Sequence, residues 1–269
     1  MLRGNEKERK NTESKAKNQR PRHPPPTENW RIILPQIAKS HPHKPHCSAT
    51  IWLLFVQRLI VLMMEILLAT GNIHKKEEFE RLLAPHTVIV PRDIGVEFSP
   101  EETGTSFLEN ALIKTNALAR SVDPLRGNLP ILADDSGLCV PALSGAPGVL
   151  SARYGSVQNG KELKSSERND LLLHNMAAYQ GEKRRAFFVC AIALCLDTYR
   201  VFTAQETLEG MIAGAPSGTN GFGYDPIFRL PQTDCTVAEL DSIEKDRISH
   251  RARATKRIQA ILESLKLSP

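Results

Sequence analysis

The sequence predicts an α/β fold, in which short apolar strands alternate with amphipathic helices. Apolar runs of strand length recur between segments with helical spacing, and no internal repeat interrupts this alternation. The chain has 269 residues, of which 41% are hydrophobic and 24% are charged, so it can bury a substantial core. This balance excludes a fully disordered chain, a collagen-like chain and a protein with many membrane spans.

The predicted strands are short apolar runs bounded by turn residues. In chain order they are 66–69, 87–90, 131–133, 138–140, 186–196, 200–212 and 226–229. The third and fourth strands flank a DDSG segment at 134–137, in which Asp-Ser-Gly favours a turn. The runs at 186–196 and 200–212 are close in sequence, so we expect them to pair as neighbours.

The predicted helices have apolar residues at helical spacing. The first places Phe79, Leu82 and Leu83 on one face and ends near Pro85. The others are 106–119, 167–178 and a C-terminal helix that Ser249 caps and that runs to about residue 265.

Residues 1–62 differ from the rest of the chain in charge and composition. They hold 12 Lys/Arg and 4 Asp/Glu, a net charge of +8, whereas residues 63–269 hold 23 and 26, a net charge of −3. The first 47 residues contain seven prolines and no sustained apolar periodicity, which predicts a disordered, basic, Pro-rich extension. The basic charge therefore gives little support for nucleic-acid binding by the folded part, 63–269.

The apolar run at 49–64 is short for a membrane span, which needs about 20 residues. An organelle transit peptide is a weak alternative, and another is that translation starts at Met63 or Met64, after which the motifs begin. The five cysteines include no CxxC pair, which argues against a disulfide scaffold or a zinc ribbon and favours a reducing cytoplasm.

The first motif that can carry chemistry lies at a predicted strand-to-helix junction. The backbone N–H groups at the start of a helix, with a lysine nearby, attract anions. A plain N-terminal cap explains the same residues and remains the alternative. The motif consists of Thr70, Gly71, Asn72, Ile73, His74 and Lys75.

Two pairs of acidic residues are candidates for a cation site. Asp134 and Asp135 directly follow an apolar strand, where buried carboxylates are costly unless they are paired or bind a metal ion. Glu101 and Glu102 precede the second helix, where either the helix dipole or ligation of Mg²⁺ by hard oxygen atoms accounts for them. Lys114, two turns into that helix, faces either solvent or a phosphate.

Two motifs near the C-terminus are candidates for binding a base. The GFGYDP segment at 221–226 has two glycines around Phe222, so the backbone can approach a flat ligand while the ring stacks on it, although an aromatic turn is the alternative. Lys245 and the SHR segment at 249–251 lie at the start of the last helix, where anions are favoured. Acids for a metal, lysines for phosphates and an aromatic loop together indicate a nucleotide hydrolase.

In these motifs the chain resembles the inosine triphosphate pyrophosphatase family of the Ham1 type, the XTP/dITP diphosphatases. The resemblance covers about residues 64–266. The matching segments are TGNIHK (70–75), EETGTSFLENALIK (101–114), ADDSGL (133–138), GAPGVLSARY (145–154), GFGYDPIF (221–228) and AELDSIEKDRISHR (238–251).

The resemblance implies a long curved mixed sheet flanked by helices, with two lobes and a central cleft. It implies hydrolysis of dITP, ITP and XTP to the monophosphate and pyrophosphate, which keeps these nucleotides out of DNA and RNA. It also implies Mg²⁺ as cofactor and a homodimer. The cytoplasmic location expected from the cysteines, and the expected lack of a nucleic-acid or membrane partner, follow from composition and charge instead. A non-catalytic nucleotide sensor on the same fold is the competing hypothesis, which the presence of both aspartates disfavours.

The resemblance also assigns roles by position. Asp135 would bind Mg²⁺ and accept a proton from the attacking water, Asp134 would support it, and Glu101 is the expected second metal ligand, with Glu102 as the alternative. His74 departs from the small residue common in relatives. The residues expected to hold the triphosphate are Thr70, Asn72, Lys75 and Lys114. Those expected around the base and sugar are Ser136, Phe222, Gly223, Tyr224, Asp225, Lys245, His250 and Arg251.

Overall fold

The computed structural model describes residues 63–122, 129–156 and 160–265. The extension predicted to be disordered, 1–62, lies outside these residues. The strands are β1 (Glu65–Leu68), β2 (Thr87–Ile89), β3 (Ile131–Cys139), β4 (Arg185–Cys195), β5 (Val201–Ile212) and β6 (Phe228–Arg229). The α-helices are α1 (Ile73–Leu82), α2 (Phe107–Ser121), α3 (Ser165–Asn175), α4 (Ser242–Ile248) and α5 (His250–Leu265).

The six strands form one mixed sheet in the order β2-β1-β3-β4-β5-β6. Strand β1 pairs in parallel with β2 and β3, and the remaining neighbours pair in antiparallel fashion. The predicted pairing of the two long segments is confirmed, because β4 pairs with β5 over its whole length. The α/β class and the mixed sheet are therefore confirmed.

Two hydrophobic clusters occupy opposite ends of the long central strands. One contains Leu132 of β3 and Ile192 of β4, together with residues of α1 and α5. The other contains Leu138 of β3 and Phe188 of β4, together with residues of α3 and of the segments after β5. Because β3 runs from one cluster to the other, residues 134–137 lie between two lobes, as the family resemblance implies.

Strand β3 has no break, so the prediction of two short strands around a turn at 134–137 was wrong. Its pairing with β4 continues through Asp134, opposite Ile192, to Gly137, opposite Val189. Both aspartates have a buried cationic partner, Arg251 for Asp134 and Lys114 for Asp135, which offsets the cost of placing carboxylates inside a sheet. The strand can therefore continue where turn chemistry alone predicts that it ends.

The helix ends follow from capping groups. Helix α1 ends before Pro85, as predicted. The Ser106 side chain accepts a hydrogen bond from the Glu109 amide at the start of α2, and Ser249 caps α5 by accepting one from the Ala252 amide at 3.1 Å. Helix α4 was not predicted, and α3 spans 165–175 rather than 167–178. Among the described residues, no helix has the length and apolar character that a membrane span requires.

Candidate active site

A cavity of about 950 Å³ lies between the two lobes. Asp134 is buried behind its wall, and Ile73 and Glu101 are not among the residues that line it. The predicted site residues that line it are Thr70, Gly71, Asn72, His74, Lys75, Lys114, Asp135, Ser136, Phe222, Gly223, Tyr224, Asp225, Lys245, His250 and Arg251. The structure therefore brings together residues that are far apart in the sequence.

The turn between β1 and α1 forms one end of the cavity. Asn72 is the N-cap of α1, and its Oδ1 accepts hydrogen bonds from the amides of His74 at 2.9 Å and Lys75 at 3.3 Å. Thr70 Oγ1 accepts one from the Asn72 amide at 3.1 Å. The amides expected to be free for an anion are thus engaged by the cap. With these amides engaged, the groups that can attract phosphate here are the dipole of α1 and the Lys75 ammonium.

Asp134 is a buried, ionised carboxylate in β3. Its Oδ1 lies 2.8 Å from Lys75 Nζ, and its Oδ2 lies 3.1 Å from Arg251 Nη2. Burial raises the pKa of Asp134, but the charges of Lys75 and Arg251 outweigh burial and bring this pKa well below its usual value. Asp134 therefore fixes the position of two cations beside the cavity.

Asp135 faces the cavity and differs electrostatically from its neighbour. Its Oδ1 lies 2.8 Å from Lys114 Nζ, and its Oδ2 accepts a hydrogen bond from Asn110 Nδ2 at 3.1 Å. Burial raises the pKa of Asp135 above its usual value despite the opposing charges of Lys114 and Lys75. A raised pKa makes a carboxylate a stronger proton acceptor, which is what a general base needs.

Glu102, rather than Glu101, is the second acid of this site. Its Oε1 lies 3.1 Å from Lys114 Nζ, and its Oε2 lies 3.5 Å from Arg153 Nη2. Glu101 is exposed and lies outside the cavity. The structure thus favours the alternative that sequence reasoning ranked second.

The donor chemistry of Asp135 and Glu102 fits Mg²⁺. Both carboxylates contact Lys114 Nζ, so they lie at the same part of the cavity and would be the residues that hold a cation there. The described residues contain no set of three metal-ligating side chains. Mg²⁺ is usually held by one or two carboxylates, together with substrate phosphates and water, so two acids are sufficient.

Phe222 and the loop around it form the other end of the cavity. The ring of Phe222 stacks on His74, with centroids 5.4 Å apart, and Lys245 Nζ lies 4.8 Å from its centre. Gly221 has φ +71°, and a Cβ placed there would lie 2.1 Å from Asp225 Oδ2, so this turn requires glycine. The loop therefore presents an aromatic face with a cation beside it, which suits a flat base.

Glu78 joins the two ends of the site, and sequence reasoning missed it. Its Oε1 lies 2.6 Å from Lys245 Nζ, and its Oε2 accepts a hydrogen bond from Arg251. Burial raises the pKa of Glu78, but Arg251 and Lys245 outweigh it and lower this pKa to about 2. A glutamate beside Phe79 on the buried face of α1 was the signal that could have revealed it.

His250 and Arg251 begin α5 inside this network. The His250 ring stacks on Phe188 with centroids 4.8 Å apart. Burial and the charge of Arg251 lower the pKa of His250 well below its usual value, so the ring is neutral. Arg251 Nη2 donates a hydrogen bond to Ser136 Oγ at 2.7 Å. Arg251 thus contacts β3, the strand that carries the aspartates, and His250 contacts the neighbouring strand β4.

Helix α3 supplies a wall that sequence reasoning did not assign to the site. Asn169 is buried in it and donates a hydrogen bond to the Gly223 carbonyl at 3.1 Å. A buried asparagine beside Leu172 on an apolar helix face was the available signal. The α3 residues that line the cavity are Ser165, Ser166, Arg168, Asn169 and Asp170.

The fold and the site together define an α/β enzyme whose cleft combines carboxylates, lysines and an aromatic glycine loop. The model of the Ham1 family matches residues 66–261. The chain therefore belongs to the Ham1 family.

Relatives and solved structures agree with this assignment. A dITP/XTP pyrophosphatase of Treponema denticola is 48% identical over 191 residues, which is 71% of this chain and 94% of that protein. One from Legionella pneumophila strain Paris is 47% identical over 202 residues, 74% of this chain and 99% of that protein. The structure of a HAM1 protein from Coxiella burnetii matches with a TM-score of 0.65 and 40% identity, covering 75% of this chain and 100% of that one. The Staphylococcus aureus Ham1 protein matches with a TM-score of 0.64 and 38% identity, covering 74% and 98%.

Replacing Glu102 by glutamine is expected to raise the Mg²⁺ concentration needed for half-maximal activity by about tenfold, since an amide is a weaker ligand for Mg²⁺ than a carboxylate. Glu101→Gln is the matched control and should leave the Mg²⁺ requirement unchanged. Activity measured against Mg²⁺ concentration in both variants decides between the two glutamates. If the Mg²⁺ requirement rises more in Glu101→Gln than in Glu102→Gln, Glu101 rather than Glu102 is the second ligand.

Proposed function

We propose that this chain hydrolyses the deaminated purine nucleotides dITP, ITP and XTP to the monophosphate and pyrophosphate, and so clears them from the nucleotide pool. The observation that carries the proposal is Asp135, which faces a cavity with lysines on one side and the Phe222 loop on the other. The names of the bacterial relatives, dITP/XTP pyrophosphatases, support the same reaction.

The triphosphate is held at the end of the cavity formed by the β1–α1 turn. Lys75 and Lys114 provide two ammonium groups, and the helix dipole of α1 adds a partial positive charge. Thr70 and Asn72 fix the backbone of this turn through their side chains. The negative charge of three phosphates is thus met by groups that are already in place.

Asp135 accepts the proton of the attacking water. The Asn110 amide fixes one oxygen of the carboxylate, so its direction is set before the substrate binds. Attack at the α-phosphorus breaks its bond to the bridging oxygen, and pyrophosphate leaves. Mg²⁺ bound by Asp135 and Glu102 would neutralise charge that develops on the phosphate oxygens. Asp134 holds Lys75 and Arg251 in place without contacting the water.

The base is selected at the other end of the cavity. Phe222 stacks on the purine, and Lys245 and Arg251 provide donors beside the ring. A 6-keto purine offers an acceptor to such donors, whereas adenine places the donors of its amino group against them. A mismatch of this kind between buried polar groups can produce about 10⁴-fold discrimination. His250 and Ser136 border the same region.

The wider organisation of the protein is proposed on the same basis. Residues 63–269 form the pyrophosphatase domain, because the family match lies within them, and the extension at 1–62 is dispensable for catalysis. We also propose that Mg²⁺ is the cofactor and that the protein is a homodimer, as the family resemblance implies. Its cysteine content and charge distribution support the further proposal that it is cytoplasmic and binds neither nucleic acid nor membrane.

Replacing Lys75 by alanine is expected to raise KM for ITP about ten- to a hundredfold, while the inhibition constant of IMP changes much less. A charge-assisted hydrogen bond contributes about 1.5–3 kcal/mol, and the distal phosphates that Lys75 faces are absent from IMP. Lys76→Ala is the matched control, since Lys76 pairs with Asp93 and does not line the cavity. Equal shifts for ITP and IMP would contradict the phosphate-binding role of Lys75.

Hydrolysis in ¹⁸O-labelled water tests the proposed reaction. Attack at the α-phosphorus places the label in the monophosphate and releases unlabelled pyrophosphate. Label in the pyrophosphate, or release of orthophosphate, would contradict the proposal.

A further inference from the structure

Asn169 of α3 contacts the aromatic loop, defined here as residues 221–225, from outside the network of charged groups. Its side chain is buried, with 4% of the residue exposed. Nδ2 donates a hydrogen bond to the Gly223 carbonyl at 3.1 Å. Its Oδ1 is buried and has no hydrogen-bond partner among the described residues.

The orientation of this amide follows from its partner. A carbonyl oxygen accepts and does not donate, so the amide nitrogen must face Gly223 and the amide oxygen must point elsewhere. A buried acceptor without a partner is unfavourable for folding. Since an apolar side chain would avoid that penalty, the contact with Gly223 is the evident gain from an asparagine here.

The Gly223 carbonyl lies between two hydrogen bonds that hold the aromatic loop in place. Gly223 has φ +66° and directly follows Phe222. On one side, the Phe222 amide donates to Asp225 Oδ2 at 2.8 Å. On the other, the Tyr224 hydroxyl donates to the Ser151 carbonyl at 2.8 Å. The Asn169 bond fixes the peptide between these two anchors.

We propose that Asn169 is a positioning residue, which holds the Gly223 peptide and thereby sets the Phe222 ring against the nucleoside part of the ligand. It does not act on the triphosphate, which is bound at the opposite end of the cavity. The identity of the ligand rests on the proposed function, whereas the effect of Asn169 on the loop does not.

Comparing the affinities of a variant for two different ligands distinguishes a positioning role from a general loss of structure. In Asn169→Ala we expect the dissociation constant of IMP to rise about three- to tenfold, the equivalent of one hydrogen bond. The dissociation constant of tripolyphosphate with Mg²⁺, which has no base, should change less than about twofold, since this ligand does not touch the loop. Calorimetric titration of the full chain measures both. Equal changes for the two ligands, or no change for IMP, would overturn the proposal.

Two further variants provide the controls. Asn175→Ala removes an amide from the same helix that bonds to the Tyr154 hydroxyl outside the cavity, and it should bind both ligands like the wild type. Asn169→Asp keeps the shape but loses the donor, so it should weaken IMP binding as Asn169→Ala does. If Asn169→Asp binds IMP like the wild type, the donor is not the cause and the proposal fails.

Amide hydrogen exchange in the ligand-free protein tests the loop itself. Exchange at residues 221–225 should be faster in Asn169→Ala than in the wild type or in Asn175→Ala. Unchanged exchange would overturn the proposal even if the protein hydrolyses dITP. Conversely, faster exchange and weaker IMP binding in a protein that does not hydrolyse dITP would leave the positioning role intact and reject the proposed reaction.

Discussion

Replacing Asp135 by asparagine is expected to lower kcat for dITP by about 10³-fold, with the melting temperature nearly unchanged. The amide cannot accept the proton of the attacking water and is a poor ligand for Mg²⁺, and general-base catalysis alone contributes about 10²–10⁴-fold. Asparagine has the same shape and its amide oxygen can still accept a hydrogen bond from Lys114, which keeps its ion pair with Glu102, so the strand should persist. Initial rates at saturating Mg²⁺, together with thermal unfolding, measure the two effects.

Asp246→Asn is a suitable control for the Asp135 substitution. Asp246 pairs with Arg81 at 2.7 Å and lies outside the cavity, so its loss should leave kcat within about twofold, as expected for a surface ion pair. A kcat of Asp135→Asn within tenfold of the wild type would reject Asp135 as the catalytic acid–base group.

Replacing Arg251 by methionine is expected to lower the free energy of unfolding by about 3–5 kcal/mol. Arg251 is 2% exposed and contacts both Glu78 and Asp134. Without the guanidinium, these two buried carboxylates lose a shared partner, and the stem of methionine replaces its packing but not its charge. Urea unfolding at pH 7 measures the loss.

Arg257→Met is the matched control on the same helix. Arg257 forms an ion pair with Glu206, but its side chain is 66% exposed, so its loss should cost less than about 1 kcal/mol. If the two substitutions cost the same, the network around Glu78 does not hold the site together.

The network also predicts how stability depends on pH. The pKa of Glu78 is lowered from 4.5 to about 2 in the folded protein, so its contribution is fully present above pH 4.5 and is lost as the pH falls towards 2. In Arg251→Met this decline in the free energy of unfolding should be smaller, since the main cause of the lowered pKa is gone. Urea midpoints between pH 2 and pH 5 in both proteins test this, and an unchanged slope would contradict it.

Local sequence signals predict the elements well where one force dominates. The runs at 66–69 and 186–196 are apolar throughout, so burial alone determines that they are strands. Capping residues locate the starts of α2 and α5, because Ser106 and Ser249 bond to amides within their own helix turns. These interactions are local and can be read from neighbouring residues.

Interactions between distant segments are not visible in this way. The DDSG segment has good turn chemistry, and its continuation as a strand depends on Lys75 and Lys114, which are remote in sequence. The choice between Glu101 and Glu102 depends on which side chain turns towards Lys114. The roles of Glu78 and Asn169 depend on partners more than fifty residues away in the sequence. Glu78 binds residues of the last helices, and Asn169 binds the aromatic loop.

The most direct test of the proposed function is to measure, in one assay, which nucleotide is hydrolysed fastest and whether pyrophosphate is the product. Pyrophosphate release should be measured with dITP, dATP and dGTP at equal Mg²⁺ concentration. The account predicts that kcat/KM for dITP exceeds that for dATP by about 10²–10⁴-fold, since the amino group of adenine opposes the donors beside Phe222. A dATP value within tenfold of that for dITP, or an absence of pyrophosphate release from dITP, would contradict it.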